Sequence, residues 1–200
     1  MKQKKDKVDK NFKKLEEVLI QVGLKIAKRG EGALFVVGEV KYTPMVNQSI
    51  PPFKAIDNPK LLESLALMDG AVIITSKGFV SAYGVRIKST KILKNFGTRH
   101  SAAISAATGD NLVVIISEED KKVRILKKGK MIIQFDALER NVEQNVSHAV
   151  NILEGVGAGT IGAIGTSLLL PTLGITFFPG VIVFGSVYYL AKFIKGKSGK

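Results

Sequence analysis

Apolar residues recur with a helical period at the start of this chain. In residues 8–28 they stand three or four positions apart with lysines between them, which predicts an amphipathic helix. Gly30 and Gly32 end the pattern. We therefore predict a basic amphipathic N-terminal helix over residues 1–30. It packs either on the domain behind it, which we favour, or on a membrane surface.

Short apolar runs follow, and such runs are typical of buried strands. Two pairs of them are separated by Lys-Gly turns and predict hairpins around Gly78 and Gly129. The predicted strands are at 33–40, 71–74, 79–83, 112–116, 122–126 and 131–135. A helix is predicted at 59–67, with Asn58 as its cap and Pro59 in its first turn, and another at 101–107. Strands and helices that alternate in this way predict an α/β domain.

The segment after these strands begins with a helix signal. Asp136 is followed three residues later by Glu139, a pattern that predicts a capping box opening a linking helix over 136–151. His148 lies beside the apolar stripe of that helix, and we interpret it as a structural or exposed histidine rather than a ligand.

Residues 155–191 contain no Asp, Glu, Lys or Arg. This stretch exceeds the roughly 20 residues that one helix needs to cross a bilayer. Because Pro171 and Gly174 lie near its middle, we predict a C-terminal helical transmembrane hairpin with spans at 152–170 and 175–191. Residues 152–200 then form a hydrophobic membrane hairpin with a basic tail. A soluble hydrophobic hairpin used for oligomerisation is the alternative.

The distribution of charge along the chain favours two membrane crossings over one. The chain carries a net charge of +13, and its lysines are concentrated near both ends. Two crossings return the lysine-rich C-terminus to the side of the folded domain, as the positive-inside rule expects. We therefore predict a membrane location with the folded domain in the cytoplasm. The basic ends favour anionic lipid over a solvated tail, and without a recognisable DNA-binding motif we predict no nucleic-acid partner.

Two classes of site are excluded by composition, and one targeting signal is missing. The chain has no cysteine, which excludes disulfides and thiolate metal sites. Its N-terminus is rich in lysine but lacks the apolar region and cleavage site of a signal peptide.

Candidate chemistry is found in three short stretches at the ends of predicted elements. They are Asp69-Gly70-Ala71, Gly97-Thr98-Arg99-His100 and Ser117-Glu118-Glu119. The first joins a carboxylate to small residues that let a ribose or a phosphate approach the backbone. The second places a hydroxyl and a guanidinium at a helix N-terminus, where phosphate oxygens bind. Taken singly, each is also explained as turn punctuation, a helix cap or a solvated strand end.

In their joint order, these stretches resemble the catalytic domain of the diadenylate cyclases. The resemblance covers residues 31–135, and its matching segments are 32–37, 68–74, 97–100 and 116–119. It implies an α/β fold with a mixed central sheet flanked by helices. Pro51-Pro52-Phe53 and the hairpin at Val123-Arg124-Ile125 are more similar to the archaeal branch than to the bacterial membrane-anchored enzymes.

The resemblance also implies an activity. Members of this family condense two ATP molecules into cyclic di-AMP with release of two pyrophosphates, assisted by a divalent metal (Mn²⁺ or Mg²⁺). Each subunit holds one ATP, and two subunits meet face to face, so a homodimer is required. The alternatives are a catalytically silent, nucleotide-binding regulatory membrane protein of the same fold and, third, a purely structural membrane-associated protein.

Residue roles carried over by resemblance begin with the catalytic set. Asp69, Arg99 and His100 would be catalytic, with Asp69 activating the ribose 3′-hydroxyl. The metal ligands would come from Asp69, His100, Glu118 and Glu119, and His100 would lie beside either the phosphates or the metal.

The resemblance further implies the ATP-binding residues Gly70, Ala71, Val85, Gly97, Thr98, Arg99 and Ser117. Either Val85 or Ile87 would contact adenine, judged by spacing from the preceding strand. Ser101 stands where many bacterial members have a second arginine, which is a departure from the family pattern.

Overall fold

The computed structural model describes residues 2–88, 98–157, 168–170 and 174–177. The helices are α1 (Lys2–Lys28), α2 (Pro59–Ala66), α3 (Thr98–Ala106) and α4 (Val146–Gly157), with a 3₁₀ turn at Glu143–Asn145. The strands are β1 (Ala33–Val37), β2 (Tyr42–Pro44), β3 (Phe53–Lys54), β4 (Ala71–Ile74), β5 (Phe79–Ile87), β6 (Leu112–Ser117), β7 (Lys122–Lys127), β8 (Lys130–Asp136), β9 (Leu168–Leu170) and β10 (Ile175–Phe177). The strands and helices predicted between residues 33 and 135 are thus confirmed in type, with shifted ends.

Within these ranges the strands form one sheet in the order β2-β5-β4-β1-β6-β7-β8-β10-β9, with β3 paired to β5. β1 and β4 run parallel, whereas β6 lies antiparallel to the other edge of β1. The hairpins predicted at Gly78 and Gly129 are the antiparallel pairs β4–β5 and β7–β8. The mixed central sheet is therefore confirmed.

Both faces of the sheet are covered, because its central strands are apolar on both sides. Phe35 and Val37 of β1 belong to the core cluster that contains buried residues of α1, α2 and α4. Leu34 and Val36 belong to a second cluster that contains alanines of α3. Successive strand side chains point to opposite faces, so one continuous apolar strand supplies both cores.

The N-terminal helix packs on the domain, as predicted. Leu19 and Leu24 of α1 are fully buried, and the helix contacts β6, β7 and α4. It ends where Gly30 N–H donates to the Ala27 carbonyl at 2.9 Å and Glu31 N–H donates to the Ile26 carbonyl at 3.2 Å. That pair of bonds is a Schellman motif, which satisfies the last carbonyls of the helix.

The predicted linking helix at 136–151 is wrong at residues 136–142, and helical backbone begins with the 3₁₀ turn at Glu143–Asn145. Asp136 ends β8, and its backbone N–H donates to the Gly174 carbonyl at 2.7 Å, which keeps the chain extended there. The Asp136 carboxylate accepts a hydrogen bond from Leu138 N–H at 3.0 Å and so caps a turn. Turns continue until α4 begins at Val146. Asn58 similarly makes no side-chain cap bond to α2, although Pro59 is its first residue.

The predicted membrane hairpin differs from the structure at residues 168–170 and 175–177, whereas residues 152–157 are helical as the end of α4. Leu168–Leu170 and Ile175–Phe177 are antiparallel strands, and β10 continues the sheet beside β8. Helical spans at 152–170 and 175–191 are therefore wrong at these residues, and much of each span lies outside the described ranges. None of the helices in the described part of the chain is long and apolar enough to span a bilayer.

The position of β10 leads to a stability prediction. Ile175 is 3% exposed and lies in the main core cluster, so Ile175→Ala should lower the free energy of unfolding by about 2–5 kcal/mol. Thr176→Ala is the matched control, because this neighbouring side chain is only partly buried and should change stability far less. Denaturant unfolding of the full chain measures both. Equal effects would contradict the placement of β10 in the sheet.

Candidate active site

The order of the central strands brings residues of the three polar stretches to one edge of the sheet. Because β1 and β4 are parallel, Gly32 and Asp69, which precede them, lie at the same edge. β6 runs antiparallel to β1 and ends at that edge with Ser117. The N-terminus of α3, on the face of the second core cluster, adds Thr98 and Arg99.

These elements enclose a cleft of about 310 Å³. It is lined by Asp69, Thr98, Arg99, His100, Ile116, Ser117, Glu118 and Glu119. Seven of these eight lining residues are predicted site residues, Ile116 being the addition. The volume is at the lower end of the range of about 300–1,000 Å³ that is usual for small-molecule sites. Gly97, predicted to bind ATP, lies outside the described residues.

Arg99 crosses the cleft edge to Glu118. Its Nη1 atom lies 3.3 Å from Glu118 Oε2, and both side chains are substantially exposed. Gly32 makes this approach possible, because a Cβ atom there would lie 2.4 Å from Arg99 Nη1. An exposed ion pair contributes little to stability, so Arg99 can exchange Glu118 for a phosphate group at low cost.

Three further predicted residues are placed beside the cleft rather than in its lining. Gly70 has a φ of +102° and is covered by the side chain of Met45. Ala71 and Val85 face each other across β4 and β5 and are buried at 2% and 1% exposure. Ile87, the other adenine candidate, is buried as well. The contact of Val85 or Ile87 with adenine stays a prediction.

A second charged group, behind His100, was not predicted as part of the site. Arg124 of β7 forms a two-bond ion pair with Asp120, and its Nε donates to Gln134 Oε1 at 2.9 Å. Its Nη1 lies 3.4 Å from His100 Nε2. Alternation along β7 is a sequence signal for its direction: Val123 and Ile125 face the main core, so the Arg124 side chain lies on the face of α3.

Burial and these charges together shift the pKa values of His100 and Asp120. Burial lowers the pKa of His100, and the positive charge of Arg124 lowers it further, against the opposing carboxylates of Asp120 and Glu119. For Asp120, burial acts to raise the pKa. Hydrogen bonds from Arg124 and Ser117, with the charges of Arg124 and Lys122, outweigh burial and lower it.

The predicted metal ligands do not form a closed cage. Within the described ranges, no group of three or more His, Asp or Glu side chains is arranged to hold a metal ion. Asp69, Glu118 and Glu119 nevertheless line the same cleft. Such carboxylates fit Mg²⁺ or Mn²⁺ of the kind held by one or two protein oxygens together with substrate phosphates. The four-residue ligand set stays a prediction.

Taken together, the fold and the cleft define an α/β domain with a polar cleft at one edge of its mixed sheet. The chain belongs to the DAC family, described as "DisA bacterial checkpoint controller nucleotide-binding", which matches residues 23–131, more than half of its length. The family expected from the three polar stretches is thus confirmed.

The chain is also similar to two proteins that are named as diadenylate cyclases. The chain is 35% identical over 138 residues to a diadenylate cyclase of Haloferax volcanii, which covers 60% of this chain and 50% of that protein. It is 32% identical over 112 residues to diadenylate cyclase CdaS of Bacillus thuringiensis, covering 52% of this chain and 56% of that one. A crystal structure of a DacA double mutant from Staphylococcus aureus is 27% identical, with a TM-score of 0.44 over 59% of this chain and 84% of that one. The chain spans about half the length of the two curated relatives.

Proposed function

We propose that this protein is a diadenylate cyclase that condenses two ATP molecules into cyclic di-AMP and two pyrophosphates across a face-to-face homodimer. The observation that carries the proposal is the convergence of Asp69, the start of α3 and the end of β6 on one cleft. Family membership and the names of the relatives support the same activity.

Each side of the cleft has a distinct task in this proposal. Thr98, Arg99 and Ser117 bind the triphosphate, because a hydroxyl, a guanidinium and the N-terminus of α3 all favour anionic oxygens. Asp69 precedes β4, on the other side of β1 from β6; it accepts the proton of the ribose 3′-hydroxyl and, with Glu119, would hold a divalent metal. A divalent metal in such sites neutralises charge on the transferring phosphoryl group.

The reaction is tested directly by incubating the full chain with ATP and Mn²⁺ or Mg²⁺ and identifying the product by mass spectrometry. Cyclic di-AMP with two equivalents of pyrophosphate is the expected result. ATP binding without any product under either metal would favour the catalytically silent regulatory protein. Failure to bind ATP at all would point to a structural protein of the same fold.

The requirement for a dimer makes a prediction of its own. If each ribose attacks the α-phosphate bound by the other subunit, dilution into monomers should lower the rate per subunit in proportion to concentration. ATP binding per subunit should stay unchanged, because each cleft holds its own nucleotide. Initial rates and nucleotide binding, measured beside sedimentation across one dilution series, separate the two. A constant rate per subunit among verified monomers would refute the shared site.

Location is a separate part of the proposal. The lysines concentrated near both ends of the chain support association with an anionic membrane surface, with the catalytic domain in the cytoplasm. Flotation of the full chain with vesicles of anionic lipid tests it. Recovery of the chain at the bottom of the gradient would contradict it.

A further inference from the structure

Arg124 contacts Asp120, Gln134 and His100 beside the cleft, and the proposed chemistry does not use it. Its side chain is only 11% exposed, whereas that of Arg99 is 37% exposed. Asp120 holds one end of the guanidinium and Gln134 accepts from Nε. A guanidinium fixed from both sides in this way has lost most of its freedom to move.

The contact of Arg124 with His100 determines which imidazole nitrogen carries the proton. A guanidinium has only donors, so in the 3.4 Å contact His100 Nε2 must be the acceptor. A neutral imidazole that accepts through Nε2 carries its hydrogen on Nδ1. The ring then has no lone pair left for a metal ion, and its N–H can only donate.

We infer that Arg124 is a positioning residue, which Asp120 and Gln134 hold in place so that His100 serves the cleft as a hydrogen-bond donor to phosphate oxygen rather than as a metal ligand. The inference rests on the proposed function for the identity of that phosphate, which belongs to ATP. It also bears on Ser101, which departs from the second arginine that the family resemblance implies for many bacterial members. In this chain a partly buried arginine reaches the neighbouring histidine from β7 instead.

The register of the sheet shows why β7 can do this. Arg124 pairs with Ile115 of β6 on one side and with Gln134 of β8 on the other. Its side chain therefore lies on the face that α3 covers, one strand away from the strand that ends at Ser117. Asp120 occupies the turn between β6 and β7, which places its carboxylate within reach of the same guanidinium.

The test reads the imidazole itself, by ¹⁵N NMR of the full chain labelled only at histidine. The chain has two histidines, and His148→Gln assigns the signals of His100. In the wild type, Nε2 should resonate as an acceptor nitrogen and Nδ1 as a protonated one. Arg124→Ala should shift both signals toward the average of the two tautomers. Unchanged His100 signals in that variant would overturn the inference.

Kinetics supply a second readout. Arg124→Ala should lower kcat on the order of 10- to 100-fold with KM for ATP nearly unchanged, since orientation rather than binding is lost. Arg124→Lys keeps the charge but lacks the planar fork, so it should fail to restore either the rate or the tautomer. Full rescue by lysine would show that charge alone matters and would refute a positioning role.

Two further variants protect the test against misfolding and against failure of the proposed reaction. Gln134→Met removes one support of the guanidinium and should shift the His100 signals in the same direction by a smaller amount. Arg140→Gln, at an exposed arginine of the turn after β8, should change neither readout. The NMR result stands even if the chain forms no cyclic di-AMP, so the two proposals fail separately.

Discussion

Asp69→Asn should abolish most of the cyclase activity while leaving the domain folded. Asparagine keeps the shape of the side chain but can neither accept the 3′-hydroxyl proton nor supply negative charge to a divalent cation. Loss of a general base costs about 10²- to 10⁴-fold in rate, and we expect kcat to fall within that range. ATP binding should largely persist, because the proposed phosphate-binding residues Thr98, Arg99 and Ser117 are unchanged in this variant.

The structure supports a clean separation of activity from stability at this position. Asp69 is exposed, and it lies in the short connection between α2 and β4. Asp57→Asn is the matched control, since this aspartate is also exposed but lies in the turn before α2. Rates, nucleotide affinity and thermal unfolding are measured for both variants. A wild-type rate in Asp69→Asn, or an equal loss in Asp57→Asn, would remove Asp69 from the mechanism.

Much of this site could be predicted because its residues lie at the ends of strands that are recognisable from apolar runs. Asp69 precedes one such run and Ser117 ends another. Once the strands are assigned, the sequence therefore predicts a site at the strand ends. The order of the strands could not be predicted from the same pattern. It depends on β1 pairing with β4 on one side and β6 on the other, and these contacts join residues distant in sequence.

Arg124 shows where local patterns stop being informative. Alternation along β7 assigns its side chain to one face of the sheet. It does not reveal that α3 delivers His100 to the same face, because that requires the packing of a helix against a strand not adjacent in sequence. The two residues that hold Arg124 in place also come from different elements, because Asp120 lies in a turn and Gln134 lies on another strand.

The two errors at the C-terminal side have different physical causes. Asp136 followed by Glu139 satisfies a capping pattern, yet the same carboxylate can cap a turn, and the bond from Asp136 N–H to Gly174 selects the turn. The apolar run around Ile175 is long enough for a membrane helix. It is also β-branched enough to cover the open edge of β8, which would otherwise expose unpaired backbone groups.

Gly70→Ala should damage both stability and activity, because the residue combines an unusual backbone conformation with close backbone neighbours. Its φ of +102° disfavours any side chain, which costs about 1–3 kcal/mol. A Cβ atom would also lie 2.7 Å from both the N and the O of Val85 and 2.6 Å from Met45 Cε. Forcing those atoms apart adds about 1–3 kcal/mol and moves Asp69 away from the cleft, so cyclase activity should be nearly lost.

Gly109→Ala is the control that separates the cost of backbone strain from the cost of steric overlap in the Gly70→Ala variant. Gly109 has a φ of +75°, but nothing lies within 4 Å of an added Cβ atom, so only the conformational cost remains. We expect its unfolding free energy to fall by less than that of Gly70→Ala, with the cyclase rate unchanged. Met45→Ala in the Gly70→Ala background should recover only part of the loss, because the contacts with the Val85 backbone persist. Equal destabilisation of the two glycine variants in denaturant unfolding would show that close packing at the Asp-Gly-Ala turn does not constrain the site.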